Sequence, residues 1–198
     1  MLAKARHYVP ELELKNIYHA IFSSHISYGS QVWTPKLKSV TDKISRLQKA
    51  SMMRIMTFSE FKAHSEPLFK KLQILKFCDN LILNNCLFVY DYFHTKLPNS
   101  FNSTFTRADD LYKYSTRQAT TGKLYIPPYK TTTFGLKCIY KRCIDSWNEI
   151  TTEINMIDKK NNHNNPSIKD FDLLNFSRSV LKVNISNHIL STYDEQID

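Results

Sequence analysis

Glycine is nearly absent from this chain. Only Gly29, Gly122 and Gly135 occur among its 198 residues. That is too few for a succession of tight hairpins, whose turns need residues at positive φ, or for a glycine-rich phosphate cradle. Such a chain is expected to be built of helices, and its apolar spacing agrees. From Glu11 onward, Leu14, Ile17, Tyr18, Ile21, Phe22 and His25 recur at helical spacing on one face. Gly29 is a stop signal, and Trp33 with Pro35 marks a short irregular connection. A second helix is expected from about Lys36 to Met56. Leu37, Val40, Ile44, Leu47 and Ser51 would line its inner face, with Lys36, Lys43, Arg46 and Lys49 gathered on another.

Further helices follow by the same logic. Ser65 reads as a cap with Pro67 in the first turn, where the missing N–H costs nothing, and Leu68, Leu72 and Leu75 form the buried stripe. Asp79 reads as the cap of a helix with Ile82, Cys86, Val89, Tyr90 and Phe93 inward, ended by Leu97-Pro98-Asn99. Residues 99–133 break the periodicity: they hold Arg107, Tyr112, Tyr114, Arg117, Lys123, Tyr125, Tyr129 and Lys130, and Pro127-Pro128 excludes a helix there. Helical spacing resumes at Phe134 with Leu136, Ile139, Tyr140, Cys143, Trp147 and Ile150. An Asn-rich tract then reads as a linker, before a last amphipathic segment with Phe171, Leu174, Leu181 and Ile185. The expected architecture is mainly α: a helical subdomain over 1–98, an irregular loop over 99–133, and a C-terminal helical segment over 134–193 with its linker at 155–166.

Charge gives the first functional indication. The net charge is +9, and the stretch from Lys36 to Lys76 holds ten Lys and Arg against only Asp42, Glu60 and Glu66. A cationic stripe of this kind suits a polyanion, and the Tyr and Arg of the 99–133 loop suit stacking and phosphate contact. A solvated basic face would have the same composition. Catalytic and metal signatures are weak. Cys78, Cys86, Cys138 and Cys143 lack the two-residue spacing of a zinc knuckle, and His19 and His25 share a helix face poorly. The absence of a leader motif leads to the expectation of an intracellular chain, nuclear or cytoplasmic, with reduced thiols. No run is apolar enough to cross a bilayer, so no membrane partner is expected.

Several stretches resemble the C-terminal part of reverse transcriptases from non-LTR retrotransposons of the jockey and CR-one type. They are Lys4-Ala5-Arg6-His7-Tyr8-Val9-Pro10, the run from Ala20 to Trp33 containing His25-Ile26-Ser27-Tyr28-Gly29, then Leu47-Gln48-Lys49-Ala50 and Arg54-Ile55-Met56. Further on come the run from His64 to Leu75, Leu97-Pro98-Asn99-Ser100-Phe101, Tyr114-Ser115-Thr116-Arg117 and Trp147-Asn148. Order and spacing agree from about Leu2 to Ile150, and more weakly to Tyr193.

In that family the region lies beyond the palm and forms the thumb and the helices after it. The resemblance implies a thumb-like bundle whose basic helix tracks an RNA or RNA–DNA duplex. Lys36, Lys43, Arg46, Lys49 and Arg54 would then meet phosphate, and Tyr114 and Arg117 would meet RNA. The family's aromatic-Ala-Asp-Asp box is not matched: Arg107-Ala108-Asp109-Asp110 has Arg where the aromatic belongs, and reads as a solvated acid pair. The resemblance therefore implies a 5′-truncated polymerase fragment that is not an enzyme by itself and has no cofactor, magnesium belonging to the palm. A remnant without selected activity and a helical protein-interaction module are the alternatives.

Overall fold

The computed structural model describes residues 2–34, 38–55, 65–111, 122–128, 130–131, 138–161 and 173–194. The architecture is mainly helical, as expected, and no strand occurs among the described residues. The chain divides into two units, Met1–Leu81 with Ser186–Asp198, and Ile82–Ile185. The division does not follow the linear scheme 1–98, 99–133, 134–193, because two helices contribute to both units.

The first unit opens with α1 (Leu2–Ala5). Helix α2 (Glu11–Ile17), with Pro10 at its N-cap, runs without a break into a π-helical stretch, Tyr18–Ser23, and then into α3 (Ser24–Ser27). Leu14 and Tyr18 are fully buried, as their spacing predicts. Beyond Tyr18 the wider π turn rotates the following side chains out of α-helical phase. Ile21 and His25, expected on the buried face, consequently lie exposed, Ile21 at 48%. Gly29 ends the run at φ +59, a conformation that penalises any Cβ. The single turn α4 (Ser30–Trp33) follows. There the Trp33 indole N–H donates to the Tyr28 carbonyl at 2.6 Å, and its ring stacks on Phe77 with centroids 6.0 Å apart.

Helix α5 (Lys38–Ile55) packs against α1, α2 and α6 (Ser65–Leu72). Pro67 sits in the first turn of α6, and Leu68, Phe69 and Leu72 form its buried stripe. Helix α6 closes with paired bonds from Gln73 N–H to the Lys70 carbonyl (2.9 Å) and from Ile74 N–H to the Phe69 carbonyl (3.0 Å). Gln73 stands at φ +52, the position glycine usually fills in this motif. Helix α7 (Phe77–Phe93) starts at Phe77. Asp79 is therefore not its cap; it lies in the first turn.

The joint between α5 and the start of α7 is made by one buried side chain. Gln48, only 3% exposed, donates from Nε2 to the Tyr18 hydroxyl (3.1 Å) and to the Leu75 carbonyl (2.8 Å). Its Oε1 accepts the Phe77 backbone N–H at 2.8 Å. The last two partners fix the amide orientation, since a flipped group would set oxygen against oxygen at Leu75. Replacing Gln48 with Ala strands the buried Tyr18 hydroxyl and Phe77 N–H and the half-buried Leu75 carbonyl, and stranding even one buried group costs about 1–3 kcal/mol. The Gln48→Ala variant should therefore unfold at a clearly lower urea midpoint, with an unchanged far-ultraviolet spectrum before the transition.

Burial pushes the Tyr18 phenol up to about 12, the bond from Gln48 opposing the shift. The sign follows directly. Between about pH 10 and about pH 12 the unfolded phenol ionises while the folded one stays neutral, so stability falls as pH rises across that window. Urea midpoints over this range should fall more steeply for the wild type than for Tyr18→Phe.

The second unit is built on α7 from Ile82 onward, the single turn α8 (Ala108–Leu111), α9 (Ile139–Asn161) and α10 (Arg178–Ser191) up to Ile185. Helix α7 buries Leu83, Cys86, Leu87, Val89 and Tyr90 here; α9 buries Cys143, Ile144, Trp147 and Ile150; α10 buries Leu181 and Ile185. A buried bond from Asn85 Nδ2 to Ser146 Oγ (3.0 Å) joins α7 to α9. Arg178 grips Asp91 with two nitrogens at 2.9 and 3.1 Å, and the Tyr90 hydroxyl donates to the Phe176 carbonyl at 2.8 Å. Helix α9 continues through Asn161, into the tract read from sequence as a linker. Among the described residues no helix is long and apolar enough to cross a membrane.

Candidate nucleic-acid interface

Helix α5 has no Gly or Pro and is rich in Lys, Arg, Gln, Leu and Met, which favours a helix throughout. Its phase is set by what it buries. Gln48 and Met52 point inward, Val40 and Ile44 are half-buried, and Leu47 is 61% exposed. Leu47 was expected on the inner face, so the helix is turned away from the apolar reading. The physical reason is the triple hydrogen bond of Gln48, which a hydropathy pattern treats as a surface residue.

This rotation decides where the cations lie. Lys43 and Arg46 are exposed on the side opposite Gln48 and Met52, and Lys49 is half-buried at the edge of that face. None of the three forms an ion pair among the described residues. The outer face of α5 is thus an apolar knob, Leu47, flanked by Lys43 and Arg46. Arg54 falls in the last turn of α5, with its side chain outside the described residues, and Lys36 lies outside them altogether.

Tyr114 and Arg117 also lie outside the described residues, but the segments on either side of them are held together. Ala108 N–H donates to the Lys123 carbonyl (3.0 Å) and Tyr125 N–H to the Thr106 carbonyl (2.9 Å), forming an antiparallel bridge between Arg107 and Leu124. Asn148 fastens this neck to α9 like a peptide group: its Oδ1 accepts the Leu124 N–H (2.8 Å) and its Nδ2 donates to the Leu124 carbonyl (3.0 Å). The Trp147 indole N–H adds a bond to the Gly122 carbonyl at 3.2 Å. Beneath the neck the buried Phe105 meets Phe88, Tyr92 and Tyr140 edge-on. Residues 99–133, read from sequence as irregular throughout, therefore contain an anchored base. Asn148→Asp keeps the acceptor for Leu124 N–H but sets a carboxylate against its carbonyl. Trypsin should then cut between Arg107 and Lys123 roughly tenfold faster than in the wild type, as expected for a loss of about 1.4 kcal/mol.

The chemistry of the remaining candidates is bland. Asp109 and Asp110 lie exposed on α8, Asp109 paired with Arg107 at 3.2 Å. Burial pushes the Cys143 thiol up to about 12 and raises Cys86 as well, and neutral thiols of this kind are poor nucleophiles and ligands. No group of three or more His, Cys, Asp or Glu side chains able to hold a metal occurs among the described residues. Neither hydropathy nor spacing signals the Gln48 and Asn148 clamps, although both residues fall within stretches that carry the resemblance. Comparison with known proteins yields no matching family model, no matching curated protein and no matching solved structure.

Proposed function

We propose that this chain is a non-catalytic helical module that grips RNA or an RNA–DNA duplex through the outer face of α5, in the manner of the thumb region of a non-LTR retrotransposon reverse transcriptase. The observation that carries the reading is the placement of Lys43 and Arg46, exposed and without ion-pair partners among the described residues, opposite the buried Gln48. Exposed cations gathered on one helix face can neutralise phosphates. The resemblance adds Tyr114 and Arg117, which lie outside the described residues, as candidate contacts to RNA. The resemblance supplies the class of ligand. No step of polymer chemistry is assigned, since neither the sequence nor the described residues bring a carboxylate set together for magnesium.

Such binding is electrostatic and tolerant of sequence. If Lys43, Arg46 and Lys49 each neutralise one phosphate, affinity should fall about 40-fold between 50 and 200 mM salt. Fluorescence polarisation against an RNA–DNA hybrid at the two concentrations measures this. Reversing all three residues to Glu should abolish binding while the unfolding midpoint stays near that of the wild type. Binding that survives the reversal assigns the contact elsewhere.

One observation favours a protein-interaction module as the second reading. Tyr28 is 85% exposed beside the exposed Val32 at the turn between α3 and α4. On that reading, Tyr28→Ser with Val32→Ser removes binding activity and the charge reversal leaves it intact.

A further inference from the structure

Helix α7 begins without a cap of its own. Lys76 precedes it, and a lysine side chain offers no acceptor to the free N–H groups of a first turn. The acceptors arrive from far along the chain. Gln48 takes the N–H of Phe77, and the Tyr193 hydroxyl takes the N–H of Lys76 at 3.0 Å, from 117 residues downstream. The same hydroxyl donates to Asp79 Oδ2 at 2.5 Å. The Lys76 ammonium lies 4.5 Å from the centroid of the Tyr193 ring and pairs with Glu66 at 2.5 Å.

Tyr193 is deeply buried in its 3₁₀ turn, at 4% exposure, while Thr192 is exposed. Ser191 Oγ donates to the His188 carbonyl and Thr192 Oγ1 to the Ile189 carbonyl. Among the described side chains of the turn, the Tyr193 phenol is the one that reaches α7, and the Gln48 cap is independent of it. Asp79 makes the attachment consequential. Burial raises its carboxyl above the usual range, with Tyr193 and Lys76 opposing and Glu66 adding to the rise, so the charged carboxylate depends on the hydroxyl for its stability.

We propose that the turn Thr192–Asp194 is a detachable C-terminal strap across the α6–α7 joint, with the Tyr193 hydroxyl as its catch. The strap opens as a local unit, leaving α2 and α5 folded on the Gln48 clamp. Local opening of this kind belongs to the low-stability end of a native structure. An open strap bares the Asp79 carboxylate and the Lys76 N–H to solvent, a donor and an acceptor spaced for one hydroxyl group.

Hydrogen–deuterium exchange of the full chain tests this. Tyr193→Phe keeps the ring and removes the catch. It should raise exchange roughly tenfold in peptides covering 76–80 and 189–194, with peptides from α2 and α5 unchanged. Asp79→Ala should match it. Asp79→Asn keeps an oxygen for the hydroxyl and should stay within about threefold of the wild type. A uniform rise across the unit in Tyr193→Phe would make the turn an integral part of the core, and no rise at all would show that the hydroxyl is not the catch. Equal effects of Asn and Ala at position 79 would also overturn the proposal.

Discussion

Gln48 sets a primary amide where apolar side chains exclude water, and an amide in such a place must find partners or forfeit its hydration. It finds three, on Tyr18, Leu75 and Phe77. Together they tie the first long helix, the basic helix and the start of α7 to a single point. The stacking of Trp33 on Phe77 and the bond from Asn80 Nδ2 to Ser27 Oγ (3.1 Å) reinforce the same corner. The rotation of α5 about its own axis follows from this constraint: once Gln48 faces inward, Lys43 and Arg46 must face outward. The orientation of the cationic face is therefore fixed by a polar group in the core.

The second unit uses the same device with a different amide. Asn148 pairs with both backbone groups of Leu124 and, with the Trp147 indole, holds an irregular segment against α9. Both amides do what a strand neighbour does in a sheet protein, satisfying backbone groups that regular structure leaves open. A mainly helical chain with few glycines has long connections to satisfy, and side-chain amides are suited to the work because each carries donors and an acceptor together.

Much of the helical framework was legible in the sequence, because Leu14, Tyr18, Leu68, Leu72, Cys86, Val89, Tyr90, Cys143, Trp147, Leu181 and Ile185 recur at helical spacing and all prove buried. What escaped had identifiable causes. The π turn after Tyr18 moved Ile21 and His25 off the buried face, and no composition signal marks such a turn. Gln48 hid the phase of α5 because a buried glutamine looks like a surface residue. The ends of α6 and α7 were obscured because Gln73 and Thr95 (φ +52 and +53) stand where glycine normally announces a stop. The cap of α7 could not be read locally, since its partners lie 29 residues upstream and 117 downstream. The cationic candidates were legible as a group, but which of them face solvent depended on Gln48.

The claim that a core amide aims a phosphate-binding face outward is tested most directly by mapping amide chemical shifts during titration with an RNA–DNA hybrid at low salt. Perturbations should concentrate on α5 around Lys43, Arg46 and Lys49, with the Gln48 side-chain amide signals unmoved because their partners stay in place. Shifts absent from α5, or spread evenly over both units, would contradict that claim.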